Sequence, residues 1–171
     1  MIRSKYCYSA LFFLSSTAWL GNAAALGVGD VAPNVALPTA TAATTVDLAK
    51  LKGKIVYVDF WASWCGPCKQ SFPWMNDMHT KHAPRGLEIV AINVDAKMPD
   101  AQRFLATMPA KFTVVFDAKG QTPKLFDVKA MPTSYLIDGD GKVLYVHAGF
   151  RDSDRAALET VIENALTQRK K

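Results

Sequence analysis

The sequence predicts an α/β domain in which helices cover a mixed central sheet, and three observations carry that expectation. Short apolar, β-branched runs alternate with helix-length segments between Ile55 and Phe116, the order of a strand–helix–strand build. Two further apolar runs flank Asp138-Gly139-Asp140-Gly141, a hairpin turn whose residues tolerate positive φ. Leu158, Val161, Ile162, Ala165 and Leu166 recur at i, i+3, i+4, i+7 and i+8, the stripe of an amphipathic closing helix. The 171 residues are 50% apolar and 20% charged, which excludes a wholly disordered chain and suits one ordinary domain. A net charge of +5, two units of it from Arg3 and Lys5, is too small to indicate a nucleic-acid partner. Three cysteines are too few for a disulfide-dense scaffold or a four-cysteine zinc site.

The chain begins with a segment to be set apart from the fold. Arg3 and Lys5 precede an uncharged run through Tyr8 to Leu20, followed by Ala23-Ala24-Ala25. That three-part pattern is a secretory signal peptide over residues 1–25, with the folded domain over 26–171. The alternative is an uncleaved anchor, because the uncharged stretch from Tyr6 to Gly29 is long enough to span a bilayer. Either reading places the domain in an extracytoplasmic compartment, soluble after cleavage or held at the membrane. Cys7 does not end the apolar run, so it is a poor lipidation site.

Val31 to Pro38 reads as short extended pieces whose prolines argue against a central strand. Leu48 to Lys54 is a turn region, and Ile55 to Phe60 is a buried strand. A helix starts at Gly66-Pro67, where proline is tolerated in the first turn. Pro73 falls deep enough to kink it, and Pro84 and Gly86 end it. Leu87 to Val94 is the next strand, Pro99 to Thr107 a short helix, and Phe112 to Phe116 a third strand before a turn at Asp117 to Gly120. Ser134 to Ile137 and Val143 to His147 are the hairpin strands. Asp152 or Ser153 is placed to cap the last helix, and Arg169-Lys170-Lys171 reads as a solvated tail.

Trp64-Cys65-Gly66-Pro67-Cys68 follows a buried strand and opens a helix. Two intervening residues let the sulfurs bond across one helical turn. Cys65 lies at the helix start, where free N–H groups and the helix dipole favour a thiolate. Cys65 is therefore the expected nucleophile and Cys68, one turn in and more shielded, the resolving thiol. A static disulfide is a weaker reading, since so short a loop restricts the unfolded chain little. A zinc site of Cys65, Cys68, His79 and His82 is also weaker, because its gaps are shorter than those of a zinc finger. His79 and His82 read as solvated helix-end residues and His147 as an ordinary strand histidine. Asp59 is a lone charge in an apolar strand. Burial without a cation raises a carboxyl's proton affinity, so Asp59 is the candidate to exchange the Cys68 proton. Trp64 is the better candidate for an exposed docking rim, with Trp61 shared between rim and core. Trp74, Met75 and Met78 are expected in the core. Asp138 and Asp140 lack the further oxygens of a calcium loop.

Val58 to Lys69 resembles the active-site segment of thioredoxins, Pro73 matches their helix-kinking proline, and Met131-Pro132-Thr133 matches their cis-proline loop. The chain is most similar to the exported TlpA/ResA/DsbE-type branch, over roughly Val31 to Leu166. The resemblance implies a thioredoxin-like fold and a cis bond at Pro132. It implies a client contact surface of Trp64, Gly66, Pro67 and the backbone of Met131 or Thr133. It implies a protein thiol–disulfide oxidoreductase that needs no cofactor beyond the reversible Cys65–Cys68 disulfide, and no metal. Its partners would be protein dithiols or disulfides and a membrane thiol–disulfide electron donor, with apocytochrome c as the specific client if the role is cytochrome c maturation. Thr133 and Ser71 stand where that subgroup commonly carries acidic residues. The setting would be a bacterial periplasm, the state monomeric, and the direction reductive, in keeping with cell redox homeostasis. A client-binding or chaperone module without turnover is the alternative, against which the intact cysteine pair argues; a peroxidase would place its cysteines differently.

Overall fold

The computed structural model describes residues 26–39 and 44–169; the expected leader at 1–25 and the final lysines lie outside them. An antiparallel ribbon of β1 (Ala36–Pro38) and β2 (Thr45–Asp47) comes first. Its proline, Pro38, sits outside the main sheet, where the missing N–H leaves no gap in a central ladder. A 3₁₀ turn at Leu48–Leu51 leads into β3 (Ile55–Trp61), α1 (Gly66–His82), β4 (Leu87–Asn93), α2 (Met98–Thr107) and β5 (Thr113–Phe116). The short α3 (Thr122–Leu125), β6 (Thr133–Ile137), β7 (Val143–Ala148) and α4 (Arg155–Gln168) complete the chain.

The main sheet has the order β5-β4-β3-β6-β7. β3, β4 and β5 are parallel, β6 is antiparallel to β3, and β7 is antiparallel to β6, so the expected mixed sheet is present. β3 lies at its centre with all seven residues buried, which explains why its sequence is apolar on both faces rather than alternating. Tyr57 and Trp61 join a core cluster with Phe72, Trp74, Met75 and Met78 of α1, Phe104 of α2 and Leu158, Ile162, Ala165 and Leu166 of α4. Val56, Val58 and Phe60 point the other way, into a second cluster with Val90, Ile92, Phe126 and Tyr135. The period-2 alternation of a strand thus divides the core into two layers.

Several local expectations need correction. The last helix is entered through a 3₁₀ turn, and Asp154, rather than Asp152 or Ser153, occupies its N-cap position. Asp154 Oδ2 accepts the Arg151 N–H at 2.8 Å. α3 lies where the sequence shows no helical period: Asp117 is buried and its Oδ2 accepts the Thr122 N–H, at 2.5 Å, turning a loop into one helical turn. Arg169 is not a free tail residue; it donates to the Gly53 and Arg85 carbonyls at 2.6 and 2.7 Å. The hairpin behaves as expected. Asp138 Oδ1 accepts the N–H groups of Asp140 and Lys142, and Gly141 takes φ +88°. No helix among the described residues is long and apolar enough to cross a membrane.

Candidate active site

The site is built where β3 ends and α1 begins. Ala62-Ser63-Trp64 link the two, and this loop is anchored from β4's end. Asp95, buried, accepts the Ser63 N–H at 2.9 Å, the Ser63 hydroxyl at 3.0 Å and the Asn93 amide at 2.8 Å. Sequence reasoning passed over Asn93 and Asp95; two polar residues closing an apolar strand were the available signal. Cys65 then takes the N-cap position of α1, with Gly66 and Pro67 opening the helix. Its sulfur accepts the Cys68 N–H at 3.3 Å. One of the helix's unpaired first-turn donors therefore points at the Cys65 sulfur, the arrangement that stabilises a thiolate there.

Cys65 and Cys68 are joined in a disulfide with an S–S distance of 2.04 Å. Cys68 is fully enclosed, whereas Cys65 keeps 4% of its surface exposed. Trp64 beside it is 68% exposed, while Trp61 is enclosed by Phe72 and Phe104, each with ring centroids 4.8 Å away. Trp64 is thus exposed beside Cys65, and Trp61 is wholly core. Trp74, Met75 and Met78 are buried, as expected.

The Met131–Pro132 peptide bond is cis. Met131 packs against both core clusters, one of which contains Cys65 and Cys68, and Thr133 stands opposite Phe60, so the loop lies at the end of the sheet where β3 runs on toward the cysteines. Thr133 is already within β6, aligned with Phe60 on one side and Ala148 on the other, and its hydroxyl donates to the Ala130 carbonyl at 2.7 Å. Met131, ahead of the sheet and half-buried, is the more open residue of the two.

Asp59 is 1% exposed. It lies between Tyr57 and Trp61 on the face that α1 covers. Tyr57 meets Trp74 of α1 at 5.7 Å and Trp61 meets Phe72 at 4.8 Å, so the carboxyl sits beneath that helix. Its register neighbours are Ala91 on β4 and Ser134 on β6. Neither is a cation. Burial pushes the Asp59 carboxyl up to about 7, and the Ser134 hydrogen bond opposes that rise. Oδ1 accepts the Ser134 hydroxyl at 2.8 Å; Oδ2 is buried and, among the described residues, has no hydrogen-bond partner.

The histidines lie elsewhere. α1 rises about 1.5 Å per residue, so His79 and His82, near its far end, are roughly 16 Å or more along the helix from the cysteines and cannot share a metal with them. His82 is not solvated: its side chain is fully buried between α1 and α4. Its Nε2 lies 3.9 Å from Glu159 and 3.7 Å from Glu163. These groups are close enough to suggest a cation site, but cations of the chain already hold it. Lys81 pairs with Glu159 and Arg85 with Glu163, and Arg85 also donates to His82 Nδ1 at 3.2 Å. Guanidinium is only a donor, so Nδ1 accepts and Nε2 carries the hydrogen, the wrong tautomer for an Nε2 ligand. Burial holds the His82 imidazole below its ordinary range. An apolar groove of about 220 Å³, lined by Val31, Leu48, Val56 and Ile137 among others, shares no residue with the cysteine site and lies toward the opposite end of β3.

The Redoxin family profile matches residues 27–162. A thiol-disulfide oxidoreductase ResA from Bacillus subtilis strain 168 is 38% identical over 121 residues, covering 71% of this chain and 67% of the relative. The ResA of Bacillus thuringiensis subsp. konkukian is 37% identical over 117 residues, covering 68% and 67%. Among solved structures, a Chlorobium tepidum protein assigned as thiol:disulfide interchange protein DsbE superposes with a TM-score of 0.80 at 58% identity, covering 83% of this chain and 99% of that one. A Bacteroides thetaiotaomicron structure assigned as a protein disulfide isomerase, at 23% identity and TM-score 0.76, shares the fold.

Proposed function

The chain belongs to the redoxin family, among the thioredoxin-like thiol–disulfide oxidoreductases of the ResA/DsbE type, and from that premise we propose that it reduces protein disulfides outside the cytoplasm, with Cys65 attacking and Cys68 resolving. The observation that supports the assignment of roles is the position of Cys65 at the N-cap of α1, its sulfur facing the Cys68 N–H. In the reduced protein, the Cys65 thiolate attacks a client disulfide. One client sulfur leaves as a thiolate and the other remains bonded to Cys65. Cys68 then loses its proton to Asp59 and attacks the Cys65 sulfur. The Cys65–Cys68 disulfide forms, the mixed disulfide breaks, and the second client sulfur departs as a thiolate. The client gains two electrons and the protein loses two; a membrane thiol–disulfide carrier returns them.

Trp64, Gly66 and Pro67 form the exposed surface around Cys65, and the Met131 backbone is the opposite wall for an extended client. The cis Pro132 closes that loop. The specific client we assign is apocytochrome c, whose haem-binding cysteines must be reduced before haem attachment. The protein acts as a monomer, and its mature form starts at Leu26. Amino-terminal sequencing of the exported protein checks that start; retention of residues 1–25 in the membrane fraction supports the anchor.

Client trapping tests the roles. Cys68→Ala leaves the mixed disulfide unresolved, so clients should accumulate on Cys65 in cells and be released by an added reductant. Cys65→Ala should capture none. Capture by Cys65→Ala but not by Cys68→Ala would reverse the assignment. Absence of insulin reduction by the dithiol wild type would favour a client-binding module.

A further inference from the structure

Asp59 has two chemically equivalent oxygens, and the fold treats them differently. Ser134 stands directly opposite Asp59 across the antiparallel β3–β6 ladder, and its hydroxyl donates to Oδ1 at 2.8 Å, with both residues buried. Oδ2 has no partner among the described residues. A proton arriving at this carboxyl therefore meets one occupied and one open oxygen. We propose that Ser134 is a positioning residue for disulfide exchange: its hydroxyl holds Oδ1 and leaves Oδ2 as the port through which Asp59 takes the proton of Cys68.

The proposal rests on the reading of Asp59 as the proton acceptor, and adds what sets its orientation and its proton affinity. A hydroxyl bonds more strongly to a carboxylate than to a neutral acid, so Ser134 favours the ionised form and opposes the rise that burial imposes. The other groups around this carboxyl do not take over that task. On β3, the Tyr57 phenol interacts with both Asp59 and Ser134, and burial pushes it well above its ordinary range, so it stays neutral. On β7, Tyr145 also acts on Tyr57, while His147, the register neighbour of Ser134, turns its Nε2 to within 3.3 Å of Asp154. On β4, Ala91 presents a methyl group. On α1, the cysteines are bonded to one another. Ser134 is the hydrogen-bond donor to Asp59 among the described residues.

The test is a carbon-13 NMR titration of the Asp59 carboxyl in the oxidised protein, where neither active-site cysteine titrates. Ser134→Ala should move the midpoint up by about one pH unit, from the loss of a charge-assisted bond. At pH 7 the ionised fraction would then fall roughly fivefold, and resolution of a preformed mixed disulfide should slow by about the same factor. Ser134→Thr keeps the hydroxyl and should restore both values, which a merely structural role for the serine does not require. An unmoved midpoint in a folded Ser134→Ala protein overturns the proposal. If Asp59→Asn slows resolution while Ser134→Ala leaves the midpoint in place, only the serine's role is lost. If Asp59→Asn resolves at the wild-type rate, the acceptor reading fails and the proposal fails with it.

Discussion

Replacing Asp59 by Asn should make the protein more stable at alkaline pH than at acid pH relative to wild type, by about 4 kcal/mol. The carboxyl is buried, carries no cation partner and is pushed from 3.8 up to about 7. A proton bound more tightly in the folded than in the unfolded state makes stability fall as pH rises between the two values. Below about pH 4 both states are protonated and the penalty is absent. It accumulates at about 1.4 kcal/mol per pH unit between 4 and 7, and above 7 it is complete, at about 4 kcal/mol. Asparagine does not ionise, so it removes this pH-dependent cost. Its amide brings donors into a site built for acceptors, which costs about 1–3 kcal/mol at every pH. The difference between variant and wild type measured at pH 8, minus that at pH 4, cancels the constant amide cost and isolates the carboxylate. Denaturant unfolding with the disulfide intact, repeated across this range, gives the number. A stability difference between the two proteins that stays flat with pH would refute the reasoning, because it would mean that Asp59 ionises in the fold as easily as it does in the open chain.

Two further outcomes follow from the same geometry. In the reduced protein, Cys65 at the N-cap should react with iodoacetamide before Cys68 at neutral pH, with an apparent pKa below the ordinary thiol value of about 8.5; preferential labelling of the enclosed Cys68 would contradict the orientation of the pair. Phe72→Ala should cost about 3–5 kcal/mol, because this side chain is fully buried and meets Trp61, Phe104 and Phe112 at 4.8, 4.9 and 5.3 Å; equilibrium unfolding that shows a loss below about 1 kcal/mol would mean the helix carrying Cys68 is not held by this aromatic cluster.

What could be read from the chain follows the range of the interactions involved. Cys65, Cys68 and the helix they open are local: a strand, two spaced thiols and a first-turn proline lie within a dozen residues and announce one another. Asp59 was visible because a charge in IVYVDF has no local partner, which is itself the signal of a special environment. Its true neighbour was not visible. Ser134 reaches it only through the register of β3 with β6, 75 residues away, and a serine opening a short strand carries no mark of that pairing. His82 failed for the same reason. At the end of a helix beside Lys81 it reads as solvated, yet Glu159 and Glu163 arrive on α4 to cover it. α3 escaped because four residues are too few to display a period, and a long-range bond from Asp117 rather than a pattern starts it. Local chemistry was legible; the pairing of distant polar residues was not.

Resolution turns on Asp59 taking the proton from Cys68, and stopped-flow measurement of mixed-disulfide formation and decay separates that step from the first attack. With a chromophoric client disulfide, formation of the Cys65 adduct should proceed in both wild type and Asp59→Asn. Decay by Cys68 should rise with pH through about 7 in the wild type, following the carboxyl. In Asp59→Asn it should be slower by about a hundredfold, the lower range for a positioned general base, and should have lost that inflection. Equal decay rates for the two proteins across pH 5 to 9 would contradict the account.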